Sequence, residues 1–278
     1  MRCVVFFVIF CWGIHLLPAQ VVCSSGDSLR FKEKMESVKS IRGKHLGDSL
    51  IFIGKTFLGT PYVEKTLEVG KTEQLVINLS GLDCTTFVEN VLAFGKLVKN
   101  ESYAFEDFTQ ALQTIRYRDG VLNGYPSRLH YFTDWIRNNA QKGLVKDITN
   151  ELGGEIVSKP INFMGTHRNL YPFLSSDENH EAILEVEAGL AKEELCILQQ
   201  NQIAEKEHLI QSGDIIALAT SIKGLDVTHT GLAIEKDGRI HLLHASSTGE
   251  VTVTDQPLVD YLKKIKNNTG IVVARPVF

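Results

Sequence analysis

Cysteine, tryptophan and proline are scarce in this sequence: its 278 residues contain 5, 2 and 7 of them. So few cysteines exclude a small scaffold stapled by disulfides. Neither an internal repeat nor a low-complexity tract occurs, which excludes solenoid and fibrous architectures. Positive charge is not in excess. The 29 Lys and Arg stand against 33 Asp and Glu, a net charge of −4. That balance argues against a nucleic-acid binder relying on a basic surface. Beyond Leu17, no apolar run approaches the about 20 residues a membrane helix needs. What remains is an ordinary globular composition, 44% hydrophobic and 22% charged, with chain enough for a large core.

The one long apolar run comes first. Arg2 precedes Val4 to Leu17, and Pro18-Ala19-Gln20 follows. A basic start, a short apolar stretch and a small residue at a polar boundary read as a secretory signal peptide over residues 1–19. A lipid anchor at Cys23 is the less favoured reading, because bulky Val22 precedes it. Secretion predicts a periplasmic protein with no stable membrane span. Residues 26–278 then form a single domain, and the segments that carry the resemblance described below span about 50–278 of it.

Residues 26 to about 60 carry helical spacing, with Lys32, Lys34, Lys39, Arg42 and Lys44 on a solvated face. Gly54-Lys55-Thr56 and Gly70-Lys71-Thr72 are not phosphate loops. Ser49 and Lys65 stand where such a loop needs its first glycine. Phe87, Val88, Val91, Leu92 and Leu97 predict an amphipathic helix from Cys84 to Lys99. A second helix runs from about Ser102 to Asp119-Gly120. A third is capped by Ser127 and carries Leu129, Phe132, Trp135 and Ile136. The C-terminal third turns to short β-segments: 214–220, 228–235, 239–246, 251–254 and 270–275. Helices first and an antiparallel meander later indicate an α+β fold.

Two elements carry chemistry. Cys84 opens its helix, where unpaired N–H groups and the helix dipole favour a thiolate. Those N–H groups can also hold an oxyanion. The competing readings are a buried structural cysteine and a disulfide with Cys196. The second element is a hairpin whose turn is Asp237-Gly238. That turn pairs Lys236 with Arg239 and sets Gly231 opposite His244. His229 and His244 then share a face as diagonal neighbours, roughly 7–8 Å apart at the backbone. A base imidazole oriented by a second polar group is what a cysteine nucleophile needs. His241 and His244 lie three apart, on opposite strand faces, so they make a poor metal pair. No metal and no cofactor are expected.

Several segments together resemble the NlpC/P60 superfamily of papain-like cell-wall hydrolases. They are Leu-Gly-Thr-Pro-Tyr at 58–62, Gly-Leu-Asp-Cys-Thr-Thr-Phe-Val at 81–88, Gly-Asp-Ile-Ile at 213–216, Thr-His-Thr-Gly-Leu-Ala-Ile at 228–234 and Leu-His-Ala-Ser-Ser at 243–247. Asp-Cys-Thr-Thr-Phe-Val-Glu at 83–89, Ser-Arg-Leu-His-Tyr-Phe-Thr-Asp-Trp at 127–135 and Phe-Met-Gly-Thr-His at 163–167 resemble its DUF1460 branch, described as N-acetylmuramoyl-L-alanine amidase-like. Thr85-Thr86 depart from the commoner Asp-Cys-Ser-Gly.

The resemblance implies a papain-like fold, its nucleophile at a helix N-terminus packed on an antiparallel sheet. Cys84 is then the nucleophile, His229 the base and acid, and His244 the orienting residue. Tyr62 lies near the oxyanion, and Asp83 binds a peptide amine or organises the helix start. Arg128, His130, Tyr131 and Trp135 form a candidate substrate wall, with Arg128 on a carboxylate and Trp135 on a sugar. Their alternative is helix core and an ion pair. His167 is a further cleft candidate. The implied substrates are peptidoglycan fragments, cut between N-acetylmuramic acid and L-alanine. A γ-D-glutamyl-diamino-acid endopeptidase uses the same residues. A non-catalytic wall-binding protein is the reading from another class.

Overall fold

The computed structural model describes residues 21–41 and 45–278. The expected signal peptide, Arg42 and Lys44 lie outside the described residues. The N-terminal half is helical, with α1 (Ser25–Val38), α2 (Leu46–Lys55), α3 (Cys84–Asn100), α4 (Phe105–Arg116) and α5 (Phe132–Gln141). Beside them β1 (Val21–Cys23) pairs in parallel with β2 (Leu75–Ile77). Then follow β3 (Val145–Asp147), β4 (Glu155–Val157), the single turn α6 (Phe163–Thr166), α7 (Asp177–Leu190), β5 (Leu195–Gln199) and α8 (Ile203–Lys206). The chain closes with β6 (Ile215–Thr220), β7 (Val227–Lys236), β8 (Arg239–Ala245), β9 (Val251–Val253), α9 (Leu258–Lys263) and β10 (Asn268–Pro276). None of the described helices is long and apolar enough to cross a membrane.

The main sheet is antiparallel, in the order β4-β5-β10-β6-β7-β8-β9, with β3 also paired to β10. Helices followed by an antiparallel sheet accord with the α+β expectation. The sheet is buried on both faces, and β6 shows this by its period of two. Ile215, Ala217 and Ala219 join the cluster formed with α1 to α5. Ile216 and Leu218 join a second cluster with Leu258, Val259 and Leu262 of α9.

The turn at residues 237–238 fixes the register. Asp237 (φ 54°) and Gly238 (φ 74°) both adopt left-handed backbone, as a two-residue hairpin turn requires. Lys236 accordingly pairs with Arg239 and Leu232 with Leu243.

Helix α3 is more deeply buried than its amphipathic pattern suggests. Phe87, Val91, Phe94 and Leu97 are core residues, but so are Glu89 and Asn90 on the polar side. Glu89 Oε2 accepts from Arg116 Nε at 2.7 Å, and Arg116 Nη1 donates to the Val76 carbonyl. The Asn90 amide donates back to the Thr86 carbonyl. A buried carboxylate is tolerable only with such a partner.

Two local expectations fail. The third helix begins at Phe132 without a side-chain cap, because Ser127 is already engaged. Its hydroxyl accepts from the Asn123 amide and donates to the Gly124 carbonyl within a preceding turn. Lys34 is not simply solvated. Its ammonium donates to the Thr56 carbonyl at 2.8 Å and lies 3.6 Å from the Phe57 ring centroid. Burial, with the nearby Arg30 charge, lowers its pKa to about 8.

Candidate active site

Residue types at the start of α3 determine where Cys84 sits. Asp83 caps the helix: its Oδ1 accepts from the Thr86 amide at 2.8 Å. Thr86 Oγ1 in turn accepts from the Asp83 amide at 2.9 Å. This reciprocal box holds the first turn rigid and needs a hydroxyl at position 86. The departure to Thr86 therefore has a structural use. Cys84 is the first helical residue, so its own N–H has no partner within the helix.

The 58–62 segment is strapped to this turn from two directions. The Gly59 and Tyr62 amides donate to the Val251 and Gly249 carbonyls, at 3.0 and 2.7 Å. The Leu82 amide donates to the Pro61 carbonyl and the Val63 amide to the Leu82 carbonyl, both at 3.0 Å. The straps bring Tyr62 beside Cys84. Burial, Cys84 and Asp83 together push the Tyr62 hydroxyl up to about 12, so it stays protonated and can donate.

On the sheet side, α3 abuts β7. The Thr230 amide faces the Cys84 sulfur, as do the hydroxyl and amide of Thr85. His229 is the residue before Thr230 on the same strand. His229 Nε2 lies 2.5 Å from His244 Nδ1, with the rings edge-on at 88° and their centroids 4.8 Å apart. The hairpin register therefore brings together the two histidines that the turn arithmetic sets on one face. This bond occupies Nε2 of His229 and leaves its Nδ1 without a partner in the pair.

Gly231 makes the crossing possible. A Cβ there would stand 2.7 Å from the Leu243 carbonyl oxygen and 2.8 Å from the His244 Cβ. Both obstacles are backbone or backbone-attached atoms that cannot swing aside.

The thiol differs from expectation in one respect. Burial, reinforced by the Asp83 charge, pushes Cys84 up to about 12 against the donors from Thr230 and Thr85. Burial and the neighbouring His244 push His229 down to about 3, and burial takes His244 to about 4. Desolvation outweighs the helix dipole, and the resting pair is thiol and neutral imidazole. The sign for reactivity follows. Only thiolate is alkylated, so its fraction rises about tenfold per pH unit anywhere below the raised pKa. Iodoacetamide labelling of Cys84 in the free protein is expected to climb steadily from pH 6 to 10. A plateau below pH 8 would instead reveal a resting thiolate–imidazolium pair.

The expected substrate wall is corrected in part. Trp135 is fully buried and stacks on Phe132 at 4.8 Å, so it offers no face to a sugar. Tyr131 is core too: its hydroxyl donates to Glu187 Oε1 and accepts from the Met164 amide. Arg128 is not free for a substrate carboxylate. Its Nη2 bonds Glu68 Oε1 at 2.5 Å, and its Nε lies 3.4 Å from Glu73 Oε1. His130 bonds the Tyr125 carbonyl through Nε2 and packs on that ring. Burial and the Arg128 charge keep it neutral. His167 stacks on Phe163 and bonds its carbonyl. None of these contacts joins His130 or His167 to Cys84, His229 or His244.

What the wall segment does supply is one side of a cavity of about 190 Å³, lined by Asp83, Glu68, Arg128, Lys65, Tyr171 and Pro172 among others. It reaches Asp83, the residue before Cys84. Glu68 and Glu73 had no signal in the sequence, because nothing there links them to an arginine about 60 positions later. The Thr230 amide was equally invisible, since every residue but proline has one. Cys84 and Cys196 are separate free thiols, so they form no disulfide. His241, on the opposite strand face, bonds the Thr254 carbonyl through Nδ1.

The family described as AmiA-like, N-acetylmuramoyl-L-alanine amidase-like, matches residues 52–271. The chain belongs to that family. Its fold matches the crystal structure of an N-acetylmuramoyl-L-alanine amidase from Bacteroides uniformis at TM-score 0.77 and 38% identity, covering 88% of this chain and 99% of that one. A Bacteroides fragilis protein provisionally named a xylanase matches at TM-score 0.75 and 43% identity, over 80% of this chain and 98% of that one. A Legionella pneumophila protein of family DUF1460 shares the fold at TM-score 0.67 and 21% identity, over 91% and 96% of the two chains. No curated protein sequence matches the chain.

Proposed function

We propose that this family member is a secreted cysteine hydrolase of the papain-like NlpC/P60 type. It cleaves the amide joining the lactyl group of N-acetylmuramic acid to L-alanine. The observation that carries the reading is the 2.5 Å bond between His229 Nε2 and His244 Nδ1, on the strand whose Thr230 amide faces Cys84. The shared hydrogen is assigned in this proposal to His229 Nε2. With the hydrogen on Nε2 and shared with His244, His229 Nδ1 carries the lone pair that can accept the Cys84 proton.

His229 Nδ1 takes the Cys84 proton as the sulfur attacks the lactyl carbonyl. The new S–C bond pushes the carbonyl electrons onto oxygen. The Cys84 amide and the Tyr62 hydroxyl hold that oxyanion. Collapse breaks the C–N bond, and the imidazolium gives its proton to the departing L-alanine nitrogen. A muramyl thioester remains on Cys84. Water, deprotonated by the same Nδ1, attacks the thioester, and the proton returns to sulfur. The neutral resting pair suits this concerted transfer, because no charge separates until substrate is in place.

The cavity beside Asp83 supports the choice of bond. Its lining sets the acidic Glu68 and Asp83 against the basic Lys65 and Arg128, and Arg128 is already bonded to Glu68, so that guanidinium is not offered to a substrate carboxylate. Glu68 can accept hydrogen bonds there from sugar hydroxyls and an acetamido N–H. A glycan-cleaving role like that named for the B. fragilis relative needs a pair of carboxylic acids about 5–9.5 Å apart across the bond. Here a thiol and two imidazoles hold the centre. The apolar N-terminal run of this proposal directs the protein to the periplasm, leaving residues 26–278 as one catalytic domain.

Digestion of a defined muramyl peptide, followed by mass analysis, tests the reading. The expected products are N-acetylmuramic acid and an intact peptide beginning with L-alanine. L-Ala–D-Glu left on the sugar would make the protein an endopeptidase. An untouched substrate would favour a wall-binding role.

A further inference from the structure

We propose that Tyr261 is a positioning residue for the histidine pair, seating His244 so that it holds His229. The inference rests on the cysteine-hydrolase reading above and adds a residue to it. The Tyr261 ring meets the His244 ring edge to face, with centroids 5.6 Å apart and an interplanar angle of 69°. His244 is thus gripped by two rings, those of His229 and Tyr261. Its imidazole is buried, so the freedom left to it is rotation about its own ring axis. An edge-to-face contact restricts that rotation, because the ring quadrupoles favour one mutual orientation. The 2.5 Å bond to His229 needs that orientation.

The support under Tyr261 is firm. Leu258, Val259 and Leu262 bury the inner side of α9 against the sheet. The Tyr261 amide donates to the Pro257 carbonyl at 2.9 Å, which fixes the residue in the first turn of α9. A residue needed only to fill the core would sit with those three. Tyr261 is instead half-buried at the edge of their cluster, and it lies close enough to Cys84 for the thiolate charge to oppose ionisation of its hydroxyl. No group among the described residues accepts or donates a hydrogen bond at that hydroxyl. The ring is therefore the part that acts on the protein.

The test compares Tyr261→Leu, Tyr261→Phe and Val259→Ala by steady-state kinetics on a muramyl peptide, with Tm measured for each. Tyr261→Leu is expected to lower kcat about tenfold with KM little changed, because a displaced catalytic group costs rate rather than binding. Tyr261→Phe keeps the ring and is expected to keep kcat. Val259→Ala loosens the same helix while keeping the Tyr261 ring, so it is expected to lower Tm and leave kcat. Equal losses in the Phe and Leu variants would overturn the proposal by moving the role to the hydroxyl. So would a kcat loss in Val259→Ala matching that in Tyr261→Leu, which would reduce the effect to stability. An activity-free readout separates this inference from the reading beneath it. The downfield imidazole N–H resonance of the His229–His244 bond is expected in wild type and Tyr261→Phe and broadened away in Tyr261→Leu. A wild type that shows the resonance but cleaves nothing would sink the hydrolase reading alone. An unaltered resonance in Tyr261→Leu would overturn the positioning role.

Discussion

Replacing His229 with alanine is expected to lower kcat by about 10³–10⁴, near the upper range for a positioned general acid and base. The size follows from the mechanism: His229 moves the proton in both halves of the reaction. His244→Ala is expected to cost about 10²–10³, because loss of the orienting acceptor frees the His229 tautomer and ring. The informative quantity is the double variant. If the two rings act as one unit through the 2.5 Å bond, the double variant falls no further than His229→Ala alone. Multiplying losses would mean that His244 contributes through some independent contact, and the proposed division of roles would be wrong. Stopped-flow or discontinuous product assays over a range of substrate concentrations separate kcat from KM for all three.

Gly231→Ala should be nearly as damaging without removing any catalytic group. The added methyl would lie 2.7 Å from the Leu243 carbonyl oxygen and 2.8 Å from the His244 Cβ. Neither can yield without moving β8. Overpacking of this kind costs about 1–3 kcal/mol of stability, readable as a lower Tm. The β8 shift also carries His244 away from His229, and a misplacement near 1 Å can cost about 10²-fold in rate. The expected result is a folded protein with kcat reduced at least about tenfold. A variant that loses Tm but retains full kcat would show that the pair tolerates the shift.

How far the sequence revealed this site depends on the kind of signal. The hairpin was legible because Asp237-Gly238 permits few turn geometries and strand side chains alternate strictly. Once Lys236 faced Arg239, the placement of His229 and His244 followed. The start of α3 was legible for a similar local reason, since Asp83 and Cys84 sit where a cap and a first turn belong. The substrate wall was not. Helical spacing of aromatic residues identifies an apolar face but not what covers it. Tyr131 and Trp135 turned out to face α6, α7 and their own helix rather than a cleft. Arg128 was lost to Glu68 and Glu73, partners set by tertiary folding. The resting state of Cys84 was misjudged because a helix dipole can be inferred from position, whereas the depth of burial that opposes it cannot. The three-residue strands β3 and β4 pair only at the sheet margin, and so short a segment has too little period to read.

The most direct test of the account is a time course of muramyl-peptide digestion with wild type and Cys84→Ala side by side, both confirmed folded by Tm. The account predicts a free peptide beginning with L-alanine from wild type and none from Cys84→Ala. The same peptide released at a comparable rate by Cys84→Ala would contradict it, because the bond would then be broken without the sulfur.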